Sequence, residues 1–243
     1  MNAKGGCGKT TIATTLASYF SASGYNTALM DFDPQRSSSQ WLEQRAGELP
    51  PIRAIDAARP SLGTTRTWQL YSGNGTDIVI KDTPAGLTGN RLTELFNRAD
   101  TVLIPVMNSV IDLNALDAFI IEIRRLMKMG RKEKRIGLIA NRARINSTAY
   151  KRIQEIAESN DIPLVATLHD TQCYPLAMEA GMSVWDHQKS PSAKDRKQIR
   201  SLLDWIHEAV PKSGKRAVPE PEEERPGEES QWSGERLPPF AMG

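Results

Sequence analysis

Cysteine is scarce in this chain: two in 243 residues, Cys7 and Cys173. Neither belongs to a CxxC pair or lies near a histidine cluster, which excludes a structural zinc site and a disulfide framework. The three histidines, His169, His187 and His207, are scattered. No apolar run reaches the ~18 residues of a membrane span, and no signal-peptide pattern is visible; a cytosolic protein with no membrane partner is the simplest expectation. Neither sign of charge dominates. Lys and Arg total 31 against 29 Asp and Glu, a net charge of +2, so no global field favours nucleic acid and any such surface must be a local patch. Repeats at solenoid periods are absent. What is present is length and apolar content, 39% hydrophobic, enough to bury a substantial core.

Short apolar runs alternate with amphipathic helical stretches. Strands are expected at Thr27–Phe32, Asp77–Lys81, Thr101–Val106, Ile136–Ala140 and Pro163–Thr167, with a short one at Arg53–Ile55. Each is apolar on both faces, as buried parallel strands are. Helices are expected at Lys9–Ser23, Ser38–Ala46, Gly89–Phe96, Leu113–Met129, Ser147–Ser159 and Ala193–Val210. Strict alternation implies βαβ units, hence an α/β fold: a mostly parallel twisted sheet with helices on both faces. One domain over residues 1–211 is expected. Residues 212–243, rich in Pro, Gly and Glu, bury too little apolar surface to offset their ordering entropy and read as a disordered acidic tail. Such a tail serves solubility or docks a partner through its apolar end, Leu237–Phe240.

Chemistry concentrates near the start. GGCGKTT (5–11) meets the phosphate-loop pattern G-x-x-x-x-G-K-[ST] only in part, because Ala3 stands where the first glycine belongs. Three glycines, Gly5, Gly6 and Gly8, let backbone N–H groups turn inward on phosphate oxygens, and the helix opening at Lys9 adds its dipole. In that pattern Lys9 reaches the β- and γ-phosphates, Thr10 holds Mg2+ and Thr11 meets the α-phosphate. TDIVIKDTPAG (76–86) is an apolar strand ending in Asp82, placed as a Walker B acid that approaches Mg2+. TALMDFDPQRS (27–37) ends a strand with Asp31 and Asp33. A single strand-end Asp is commonly a helix cap or turn residue. Three beside a G-K-T loop, at the carboxyl edge where open α/β sheets bind ligands, are harder to dismiss.

These segments resemble the ParA/MinD ATPases. KGGCGKTT is similar to their deviant Walker A box K-G-G-x-G-K-[ST], DFDPQ to D-x-D-P-Q, and IKDTP to their Walker B segment. ADTVLIPV (99–106) and YPLAMEAGMSVWD (174–186) resemble later family segments, so the likeness spans roughly residues 1–210. The resemblance implies a P-loop ATPase using ATP and Mg2+ that forms an ATP-sandwich homodimer. Lys4 would be the signature lysine reaching the partner's nucleotide, where a fixed cation stabilises charge developing on the γ-phosphoryl group. Asp33 would position the attacking water, Asp31 would lie near Mg2+ with Asp82, and Asn141 would read the adenine edge, with a strand-end turn as its plainer role. Residues 169–171, where many relatives carry arginine, read His169, Asp170, Thr171, which counts against DNA binding by that loop. Lys81, inside the Walker B strand, is expected to pair with a carboxylate or to lie at a sheet edge, since an unpaired buried lysine is costly.

The function implied is a positioning switch. ATP promotes dimerisation and nonspecific nucleoid binding, and a cargo-adaptor protein stimulates slow hydrolysis. The cargo is a plasmid, a chromosome region or a protein body such as a carboxysome. Lack of a C-terminal amphipathic membrane helix counts against the MinD branch. The alternatives are a nucleotide-dependent ligase or kinase, which needs a further polar pocket, and an electron-transfer ATPase like the nitrogenase iron protein, which needs cluster-ligating cysteines. Basic runs at 124–135 and 189–200 are either solvated helix faces or a DNA-phosphate surface, nonspecific and salt-dependent. Cys7 reads as a small filler, with a redox switch as the alternative. Finally, Met1–Ala3 are too few for the strand that normally leads into a phosphate loop, which needs about five or six residues. The expectation is a truncated first strand, with a neighbouring strand shifting into the gap as the other outcome.

Overall fold

A computed structural model describes residues 1–58, 75–130, 133–186 and 191–208, without the side chains of 191–194. The expected tail, 212–243, lies outside the described residues, as do Lys189, the side chain of Lys194 and the 131–132 part of the first basic run. Among the described residues the strands are β1 (Thr27–Asp31), β2 (Ile52–Asp56), β3 (Ile78–Asp82), β4 (Thr101–Met107), β5 (Arg135–Asn141) and β6 (Leu164–Thr167). The helices are α1 (Lys9–Ala22), α2 (Ser37–Gln44), α3 (Gly89–Asn97), α4 (Val110–Met129), α5 (Thr148–Ser159), α6 (Cys173–Glu179) and α7 (Pro191–His207).

The strands form two parallel three-stranded sheets, β2-β1-β3 and β4-β5-β6. Period-two alternation sends successive side chains to opposite faces. Ala28 and Met30 join Leu138 and Ala140 in one core with Leu92, Leu116, Ile120 and Ile153 of α3, α4 and α5. Ile139 packs on the other face with Ile12, Leu16 and Phe20 of α1 and with Leu202 and Leu203 of α7. Leu29 meets Ala13 and Ala17 of α1 and Trp41 of α2. The first core takes residues from both sheets, so the halves share one interior, with helices on both faces.

Residues 1–3 bridge the halves. The Met1 amino group donates to Leu103 O of β4, and Asn2 Nδ2 donates to Pro105 O at 2.6 Å. Ala3 O accepts from Gly86 N, just past β3, at 2.7 Å. No described strand moves between β3 and β4: β3 pairs with β1, β4 pairs with β5, and Asp82 stays in register with Asp31. Ile78, Val79, Ile80 and Leu103 are accordingly only half-buried. Lys81, on β3, donates to Arg98 O and lies near Asp100, while burial brings its ammonium down to about 8.

Several helix ends differ from expectation by one to three residues, and two departures have a visible cause. Helix α4 starts three residues early, at Val110, because Ser109 caps it by accepting from Asp112 N. Helix α6 was not expected at all; its proline, Pro175, sits in the first turn, where a missing N–H costs nothing.

Candidate functional site

The loop from Lys4 to Gly8 hangs between the carboxyl ends of β3 and β4. Asn2, fully buried, anchors its base by accepting from Lys4 N at 3.0 Å while donating to β4. Gly6 and Gly8 take left-handed φ values of 75° and 95°, open to glycine at no steric cost. Helix α1 begins after Gly8 with no side-chain cap, so its first N–H groups remain available to an anion. Gly5 and Gly6 are exposed, and Lys4, Lys9, Thr10 and Thr11 are half-exposed at the mouth. Lys9 Nζ donates to Lys4 O at 2.8 Å. Cys7 is buried, its thiol directed to Lys4 O at 3.3 Å, a packing position.

Register sets three acids side by side: Asp31 pairs with Asp56 across β1–β2 and with Asp82 across β1–β3. Asp56 meets Arg36 at 3.1 Å. Asp31 Oδ1 accepts from Asp33 N, and its Oδ2 accepts from Ser39 N and Ser39 Oγ, all at 2.9–3.0 Å, so this carboxylate holds the turn into α2. Asp33 Oδ1 accepts from Gln35 N at 2.9 Å.

Asp82 is different. It is 1% exposed, and neither carboxylate oxygen has a hydrogen-bond partner. Burial pushes its carboxyl up to about 6; the nearby Thr10 and Ser38 hydroxyls oppose the rise, and Asp31 and Asp33 add to it. Those hydroxyls are close enough to act on Asp82, yet neither makes a hydrogen bond of good geometry to it. Ser38 Oγ is itself buried and unpartnered. Oxygen donors left unpaired at the foot of a phosphate loop fit a hard, hydrated dication such as Mg2+. Thr10, Asp82 and Ser38 would hold it, with Asp31, whose Oδ1 accepts a single bond, close by on the neighbouring strand. Ser38 escaped sequence reasoning because nothing in the run Ser37-Ser38-Ser39 singles out the middle residue; only the start of α2 turns it inward.

Asn141 ends β5 and lies against the loop: its Nδ2 donates to Cys7 O at 2.9 Å and its Oδ1 accepts from Arg142 N at 3.1 Å. His169 is exposed, with its N–H on Gln198 of α7, and Asp170 lies 3.7 Å from Arg142. Below the site, Arg45 at the end of α2 makes two 2.8 Å bonds to Asp186, which also accepts from Ser18, Ser183 N and Ser183 Oγ. Trp41 Nε1 donates to Met182 O at 3.0 Å, so the helix that follows Asp33 is tied to residues 182–186.

Parallel α/β sheets with a glycine loop and an unpaired buried acid at their carboxyl edge define a P-loop nucleotide-binding ATPase. More narrowly, the chain belongs to the family described as the CobQ/CobB/MinD/ParA nucleotide binding domain, which matches residues 1–184. It is 28% identical over 214 residues to the maintenance of carboxysome distribution protein A of Halothiobacillus neapolitanus, covering 86% of this chain and 94% of that one. Its fold resembles the ATP complex of a Cyanothece McdA variant (TM-score 0.62, 19% identity, 84% of this chain and 94% of that one). It also resembles pNOB8 ParA bound to nonspecific DNA (TM-score 0.53, 18% identity, 84% and 97% covered). No described helix is long and apolar enough to cross a membrane.

Proposed function

We propose that the chain is an ATP-driven switch that positions or partitions a cargo by ATP-regulated binding to nonspecific DNA. The observation that carries this reading is the buried, unpartnered Asp82 carboxylate beside Thr10 at the foot of the phosphate loop. Gly5, Gly6, Gly8 and the first N–H groups of α1 bind the phosphates of ATP, and Lys9 exchanges Lys4 O for the β- and γ-oxygens. Thr11 holds the α-phosphate and Asn141 meets the adenine. Mg2+, when bound, neutralises charge on the β- and γ-oxygens. Asp33 orients the attacking water with the oxygen that Gln35 does not claim.

Lys4 acts across a homodimer, at the phosphates of the partner's nucleotide. The exposed apolar residues Val110, Ile111 and Ile145 follow β4 and β5 at this same edge, 70%, 69% and 49% exposed, and support self-association there. The relative that maintains carboxysome distribution and the DNA-bound structural neighbour favour positioning on the nucleoid, with a cargo adaptor that stimulates hydrolysis. Sedimentation with ATP, Mg2+ and DNA tests the switch. Lys9→Ala should lose ATP binding; Lys4→Ala should bind ATP and stay monomeric; Asp33→Ala should dimerise, hydrolyse poorly and accumulate on DNA. Equal DNA binding with and without ATP would remove the switch, and ATP binding by Lys9→Ala at wild-type strength would remove the loop assignment.

A further inference from the structure

We propose that Asn141 is a positioning residue for the phosphate loop: it aims the Gly8 N–H at the phosphates, a duty separate from any contact with the base. The proposal rests on the ATP-binding reading above.

Asn141 Oδ1 accepts from Arg142 N at 3.1 Å, which settles which end of the amide faces which way. The NH2 group therefore faces the loop, where it donates to Cys7 O at 2.9 Å. That carbonyl belongs to the Cys7–Gly8 peptide. A trans peptide holds its C=O and N–H in one plane, pointing in opposite directions, and no peptide in the described chain is cis. Drawing the Cys7 carbonyl toward β5 thus turns the Gly8 N–H away from β5, into the loop. Without that tether, the peptide between Cys7 and a glycine at φ 95° is free to flip, because glycine samples left- and right-handed wells alike.

The approach is close. A Cβ at Gly8 would stand 2.1 Å from Asn141 Nδ2, so Gly8 lacks a side chain here as much for Asn141 as for its own φ. Arg142 adopts φ 49°, a left-handed conformation uncommon for a residue with a side chain. The chain thus turns directly after Asn141, whose own backbone sets the Arg142 N–H against its Oδ1. In register, Asn141 pairs with Met107 at the end of β4, the strand that also holds Asn2 through Pro105 O. The loop is thereby pinned at its base by Asn2 and at its crown by Asn141. One amide hydrogen of Asn141 is committed to the loop, and the other remains for the nucleobase.

Inorganic tripolyphosphate separates the two duties, since it has no base. Isothermal titration with Mg2+ should compare ATP and tripolyphosphate on wild type, Asn141→Ala and Asn141→Asp. Loss of one such hydrogen bond corresponds to about tenfold in affinity. Asn141→Ala should weaken tripolyphosphate about tenfold and ATP at least as much. Asn141→Asp keeps the shape but sets a carboxylate against the Cys7 carbonyl, and should weaken tripolyphosphate further. Tripolyphosphate binding within twofold of wild type in the folded variants would overturn the proposal and leave Asn141 to the base alone. If circular dichroism shows Asn141→Ala unfolded, the isosteric Asn141→Asp decides. Wild type that binds neither ligand would overturn the nucleotide reading, and this proposal with it.

Discussion

Asp56, Asp31 and Asp82 stand side by side along the carboxyl edge, and each is accommodated differently: by a cation, by the turn into α2, and by nothing. The unpaired one carries a stability signature. With its carboxyl raised from 3.8 to about 6, chiefly by burial, Asp82 holds its proton in the folded chain where the unfolded chain has lost it. Its contribution to stability is complete below pH 3.8 and is lost as pH rises through about 6. Two units correspond to roughly 3 kcal/mol. Without nucleotide or metal, Asp82→Asn should remove this slope and exceed wild type above pH 6 by up to about 3 kcal/mol, while Mg2+-dependent hydrolysis is lost. Urea unfolding from pH 4 to 7 checks it, and parallel curves for the two proteins would refute a desolvated Asp82. The acid itself was legible in the sequence as an apolar strand ending in Asp; that it alone lacks a partner was not, because Asp31 looks the same until α2 folds back to claim it.

At the scale of elements, strands were the most legible. Apolar runs of four to seven residues between turn signals give a buried parallel strand little freedom, and these strands, like the largely exposed edge strand β2, lie within a residue or two of expectation. Helix starts were harder. Val110 and Ile111 are apolar but exposed, so hydrophobic periodicity points to Leu113, while the true start is set by Ser109 as cap. Contacts far apart in sequence were not legible at all: Asn141 with Cys7 spans 134 residues and Arg45 with Asp186 spans 141. The second of these joins α2 to residues 183–186 inside the protein, with side chains 5% and 1% exposed. Removing one partner strands a buried charge, so Arg45→Ala should cost about 3–5 kcal/mol. Arg45→Met with Asp186→Leu should recover much of that. Denaturant midpoints for the three variants test it; a double variant no better than the single would mean that the Ser18 and Ser183 bonds, and not the charge pair, hold the segment.

For the whole molecule, the proposed switch requires a surface that meets DNA. The run at 124–135 is partly spent within the fold. Arg124 donates to Asn160, Lys134 donates to Asn97 O and Ala99 O, and Arg135 stacks on Trp205 and pairs with Glu208. Helix α7 offers more: Lys197 and Arg200 are exposed, and Arg196 is half-exposed. It is also coupled to the site edge, since Gln198 accepts from His169 N and Asp170 reaches Arg142, the neighbour of Asn141. Helix α7 therefore adjoins the edge of the site. Phosphate contacts release counterions, each lowering the slope of log K against log salt by about 0.9. Replacing Arg196, Lys197 and Arg200 by glutamine should flatten the ATP-dependent slope by up to about 2.7 and weaken every DNA sequence alike. ATP hydrolysis without DNA should be unchanged. An unaltered slope would move the surface to Arg125 and Lys128, exposed cations of α4.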